Sequence, residues 1–116
     1  MKKVLKAGVV AGAVALCAAL VPGVASATVR GQIDICNDSG VGVVVKLPER
    51  GGFSSYVVKP RPANGPCYPW RVGGGNAWEG ADVYFTPNRY LVSFHYNPSR
   101  GAAVFVNDSG SVRVYN

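Results

Sequence analysis

The sequence predicts an all-β protein: a small, disulfide-closed, antiparallel β-sandwich of about seven short strands with Greek-key-like connections. Three observations predict it. Apolar residues recur with period two rather than 3.6, turn signals separate the apolar runs, and an even pair of cysteines remains once an N-terminal leader is removed. Short β runs without a helical stretch of ten residues suit a sandwich or small barrel.

The leader occupies residues 1–27. Lys2, Lys3 and Lys6 precede a nearly unbroken apolar run from Val9 to Val21, which is shorter than the roughly 20 residues a bilayer span needs. Pro22 and Gly23 break the run, and Ala25-Ser26-Ala27 supplies the small residues a signal peptidase reads. A cleavable secretory signal peptide is expected, cut between Ala27 and Thr28. The expected mature protein is one domain over residues 28–116, secreted and not held by a membrane after cleavage. Its 89 residues lie near the lower limit for a self-sufficient core.

Strand by strand, Ile33 and Ile35 alternate with Gln32 and Asp34, and Val41, Val43, Val45 and Leu47 continue the pattern. Phe53 to Lys59 is a third run. Four more follow a Pro-rich and Gly-rich middle: Glu79 to Phe85, Tyr90 to Tyr96, Ala102 to Val106 and Ser111 to Tyr115. Strict alternation within Tyr90 to Tyr96 puts Tyr90, Val92, Phe94 and Tyr96 on one face, expected to be a core face, and Leu91, Ser93 and His95 on the other. Asn37-Asp38-Ser39-Gly40 and Asn107-Asp108-Ser109-Gly110 are identical tetrapeptides with the chemistry of hairpin turns.

Cys17 leaves with the leader, so Cys36 and Cys67 are expected to bond in an oxidising compartment. The 31-residue separation implies roughly 3.7 kcal/mol by chain-entropy arithmetic, a large share of what so small a domain has. A zinc site would require four ligands, and His95 is the only histidine.

Charge excludes one class of partner. Three of the twelve basic residues lie in the leader, leaving nine against six acids and a mature charge of +3. The nine are scattered singly, where a nucleic-acid binder shows a clustered basic stripe. Catalysis also lacks material. No serine lies in a G-x-S-x-G or S-x-x-K arrangement, and the close acids Glu79 and Asp82 point to opposite faces of a strand. A non-enzymatic protein without cofactor is expected, probing an extracellular protein or a cell-wall glycan as a monomer.

The working surface is expected in the middle segment, Pro60 to Asn76 and the residues beside it. Pro60, Pro62, Pro66 and Pro69 argue against regular pairing there, and Tyr68, Trp70, Arg71 and Trp78 are its candidate binding residues. A second reading is a protease inhibitor, with Arg50 before Gly51-Gly52 or Arg61 between two prolines offered to a trypsin-like pocket. A third is calcium binding by Asn107, Asp108 and Ser111, whose oxygens are close in sequence.

The segment Asn107-Asp108-Ser109-Gly110-Ser111-Val112-Arg113-Val114 resembles the N-D-x-x-S-S-hydrophobic motif of microbial βγ-crystallin modules. The resemblance covers eight residues and implies a Greek-key sandwich, calcium binding or, in some secreted bacterial members, protease inhibition. One of the paired serines is missing, and the aromatic-plus-Gly hairpin that precedes the motif is not recognisable between Tyr84 and Tyr90.

Overall fold

The computed structural model of the protein describes residues 28–116, so the leader expected over residues 1–27 lies outside the described residues. Among the described residues eight strands form, in chain order: β1 Gln32–Asp38, β2 Val43–Leu47, β3 Phe53–Ser54, β4 Tyr68–Arg71, β5 Glu79–Phe85, β6 Arg89–Tyr96, β7 Ala102–Asn107 and β8 Val112–Tyr115. They build two packed four-stranded sheets, β4-β1-β7-β8 and β3-β2-β5-β6. Among the described residues no helix is long and apolar enough to cross a membrane.

Alternation explains the core. Ile33, Ile35, Val104 and Val106 from one sheet meet Val43, Val45, Leu47, Ala81, Val83 and Phe85 from the other, all buried. Residues at the alternate positions of these strands face outward, as the pleat requires, while Ala102 and Asn37 share the inward face of their strands and are buried. One pairing departs from an antiparallel sandwich: β1 and β7 run parallel, Ile33 opposite Ala102 through Asp38 opposite Asn107. Parallel neighbours need a long crossover, and here the chain builds the whole second sheet before returning to β7.

The expected strand over Phe53 to Lys59 contracts to β3 and a single bridge between Val43 and Val58. Ser55 explains the interruption. Its Oγ accepts the Val45 N–H at 3.1 Å and donates to the Tyr56 carbonyl at 2.8 Å, so a side chain replaces part of the ladder. The expected loop, in contrast, contains a strand. Tyr68–Arg71 pairs with β1 despite Pro69, because β4 is an edge strand and tolerates a residue with no N–H.

A β-bulge corrects the expected faces of β6. Val83 lies opposite Val92 but Tyr84 lies opposite Tyr90, which leaves Leu91 as the extra residue. Tyr90 is thereby turned away from Val92, Phe94 and Tyr96 to the exposed outer face, where its hydroxyl is 2.7 Å from Ser93 Oγ.

The two identical tetrapeptides share an Asx motif, but only the second closes a hairpin: the Gly110 N–H donates to the Asn107 carbonyl at 3.0 Å with φ +83° at Gly110, between paired β7 and β8, whereas Asn37 to Gly40 leads from β1 across to β2 of the other sheet. Asn37 Oδ1 accepts the Ser39 N–H and hydroxyl at 2.9 and 2.6 Å; Asn107 Oδ1 accepts those of Ser109 at 3.1 and 2.7 Å. Asn37 is 1% exposed, and its Nδ2 also donates to the carbonyls of Val41 and Val58 at 2.7 and 2.8 Å. Asn107 is exposed. Asn37→Ala, which strands buried partners, is therefore expected to cost about 3 kcal/mol and Asn107→Ala about 1 kcal/mol. Urea denaturation of the two variants checks this, and equal losses would contradict it.

Candidate functional site

The sandwich is open along the side where edge strand β3 of one sheet faces edge strand β4 of the other. Phe53 points inward from β3, opposite Leu47, and Trp70 points inward from β4, opposite Ile33. Their ring centroids are 5.3 Å apart, so this pair closes the gap between the sheets. Outside it lies a groove of about 430 Å³ lined by Phe53, Ser54, Tyr56, Tyr68, Pro69, Trp70 and Arg71. A second concavity of about 300 Å³ adjoins it, sharing Tyr68 and Pro69 and continuing past Lys59 and Arg61.

The structure thus brings Tyr68, Trp70 and Arg71 together in one groove. Trp70 is 6% exposed, so most of it belongs to the core beneath the groove. Trp78 does not line the groove; it is 56% exposed just before β5. Sequence reasoning missed Phe53, 46% exposed, and Tyr56, 81% exposed. The available signal was a pattern: across Phe53 to Val58 aromatic or apolar residues fall on both faces, which a strand with one solvated face does not show.

Arg50 and Arg61 are both engaged within the fold. Arg50 Nε and Nη2 donate to Glu79 Oε1 and Oε2 at 2.8 and 3.0 Å, and Nη1 donates to the Val72 carbonyl. The hydrogen bond to Glu79 raises the Arg50 pKa against the opposing effect of burial. Arg61 Nε and Nη2 grip Asp38 at 2.6 and 3.1 Å, while Nη1 donates to the Gly65 carbonyl at 2.8 Å and to Cys67 Sγ at 3.2 Å. The bond to Asp38 raises the Arg61 pKa in the same way. These side chains pin loops to strands; as placed, neither projects freely toward a protease pocket.

Asn107 Oδ1 is shared by the N–H groups of Ser109 and Ser111 and the Ser109 hydroxyl, so the oxygen offered for calcium already accepts three donors. Among the described residues no group of three or more His, Cys, Asp or Glu side chains is placed to hold a metal ion. The carboxylates of β5 are also committed. Glu79 holds Arg50 and accepts from the Tyr96 hydroxyl at 3.3 Å, and Asp82 accepts from Ser93 at 2.6 Å. Burial, followed by the Glu79 charge, pushes the Tyr96 pKa up to about 12.

The groove sets the rings of Phe53, Tyr56 and Tyr68 beside Arg71, an arrangement that can hold a ligand by stacking and hydrogen bonding. Comparison with known proteins adds no relative: no family model, no curated protein and no solved structure matches the chain.

Proposed function

We propose that this protein is a secreted, non-enzymatic binding module that holds a glycan chain in the groove between β3 and β4. The observation that carries the reading is the convergence of Phe53, Tyr56, Tyr68 and Trp70 on one open groove. Aromatic rings on rigid strands and short loops present large apolar faces with little rotamer freedom to lose, which suits the apolar faces of sugar rings. An extended peptide adding to the β4 edge would need main-chain donors along it, and Pro69 at the middle of that strand has no N–H to give. The edge therefore favours stacking over strand addition.

Retention on insoluble polysaccharides tests the reading. The protein is expected to be retained on a cell-wall glycan, and Tyr56→Ala to lower affinity roughly tenfold, the scale of an exposed ring at a binding hot spot. Tyr56 is a safe position for this test because its side chain is outside the core. No retention on any glycan, or retention indifferent to both Tyr56→Ala and Phe53→Ala, overturns the proposal.

Export belongs to the same reading. The basic, apolar and small-residue pattern over residues 1–27 supports it, as does the Cys36–Cys67 disulfide. N-terminal sequencing of protein recovered from the culture medium is expected to begin at Thr28; an intact Met1 or a cell-retained product contradicts it.

A further inference from the structure

Beside the aromatic groove lies a smaller concavity of about 330 Å³, lined by Arg30, Gly31, Arg71, Gly73 and Gly74. Its backbone is firmly held. The Gly31 carbonyl accepts the N–H groups of Val72 and Gly73 at 2.9 and 3.1 Å, and the Gly31 N–H donates to the Pro98 carbonyl at 2.7 Å. Gly31 has φ +74°, and a Cβ there would sit 3.3 Å from the Gly73 carbonyl carbon, so the close approach of the two loops depends on a missing side chain.

Among the described residues neither arginine of this concavity is ion-paired. The ion pairs among the described residues join Arg50 to Glu79 and Arg61 to Asp38, and neither involves Arg30 or Arg71. No acidic side chain lines the concavity, and its three glycines add only backbone. Two guanidiniums beside a fixed glycine loop form a receptor for a carboxylate or a phosphodiester, because each presents a planar set of donors matched to paired oxygens. Arg71 belongs to both cavities, lining the aromatic groove and the glycine-walled concavity at once.

We propose that the ligand is an acidic polysaccharide, its sugar rings stacked in the aromatic groove and an anionic substituent held between Arg30 and Arg71. This rests on the glycan reading and narrows it to a charge class. The shared chemistry is an anion on a sugar-based polymer, and the source is either a uronate carboxylate or a backbone phosphodiester.

Binding at low salt to three soluble polymers of similar length separates the outcomes: a polyuronate, a sugar polymer bearing phosphodiesters, and a neutral β-glucan. At least one acidic polymer is expected to bind roughly tenfold more tightly than the neutral one, the scale of a charge-assisted contact. Whichever acidic polymer shows the preference identifies the source. Arg30→Gln and Arg71→Gln are each expected to bring the acidic-to-neutral ratio toward one. Arg89→Gln, which removes the same charge at the exposed start of β6, is expected to leave that ratio in place.

Equal affinity for acidic and neutral polymers overturns the charge assignment and leaves the glycan reading standing. A preference that survives Arg30→Gln and Arg71→Gln, or that Arg89→Gln reduces as much, also overturns it. Failure of all three polymers to bind, with retention on some other polysaccharide, overturns the acidic assignment alone; failure together with no retention on any glycan removes both readings.

Discussion

Gly101→Ala is expected to leave the domain unfolded under conditions in which the parent is native. Gly101 has φ +78°, and a Cβ there would lie 2.0 Å from the Val29 carbonyl oxygen, 2.8 Å from the Val29 carbonyl carbon and 2.7 Å from the Gln32 carbonyl oxygen. All three obstacles are backbone, so no side-chain rotation relieves them. The Val29 oxygen is itself the acceptor for the Gln32 N–H at 3.1 Å, a bond at the entry to β1. The left-handed conformation alone costs an L-residue about 1–2 kcal/mol, and separating the backbone segments adds the loss of that entry and of the start of the parallel β1–β7 pairing. A loss above about 4 kcal/mol is expected, against a total stability of roughly 4 to 13 kcal/mol for an 89-residue domain. Gly51→Ala is the comparison: φ is +67°, but nothing lies within 4 Å of the added Cβ, so about 1–2 kcal/mol is expected. Urea unfolding of both variants checks the difference, and a Gly101→Ala midpoint close to that of Gly51→Ala refutes the steric argument.

What the sequence made legible was local. Period-two alternation located β1, β2, β5, β7 and β8 because each has one buried face, and the pairing of Cys36 with Cys67 followed from there being two cysteines left after the leader. Pro69 hid β4, since a proline argues against a strand unless the strand is an edge, and edge status depends on strand order. Strict alternation puts Tyr90 on the core face, but a bulge shifts the alternation by one residue and leaves no mark in composition. The hairpin expected at both tetrapeptides forms at Asn107 to Gly110 and not at Asn37 to Gly40, which passes between the sheets; the identical residues carry no mark of that difference, nor of Val58 covering Asn37 while Asn107 faces solvent.

The groove was half visible for the same reason. Tyr68, Trp70 and Arg71 are neighbours in sequence and were singled out together, whereas Phe53 and Tyr56 join them through the meeting of two edge strands from different sheets. The rings therefore report on tertiary topology, and their joint exposure is a property of the sandwich's open side rather than of either segment.

Removal of the disulfide through Cys36→Ala with Cys67→Ala is expected to cost roughly 3–4 kcal/mol, the entropy of closing a loop with a 31-residue separation. The damage should be uneven. Cys36 sits on the outer face of β1, opposite Phe105, and is 1% exposed; Cys67 immediately precedes the four-residue β4. The bond therefore ties a short edge strand, interrupted by Pro69, to a central one. Without it the attachment of β4 falls to its β1 ladder, the Phe53–Trp70 contact and Arg61, whose grip on Asp38 and the Gly65 carbonyl remains. Residues 59–67 are then expected to become a site of proteolytic nicking while β5, β6 and β7 stay protected from hydrogen exchange. Because β4 supplies Tyr68, Trp70 and Arg71, glycan retention should fall at denaturant concentrations below the global unfolding transition. Uniform loss of protection across both sheets, with retention and global unfolding falling at one midpoint, would mean that the bond stabilises the whole sandwich evenly and does not hold the groove in particular.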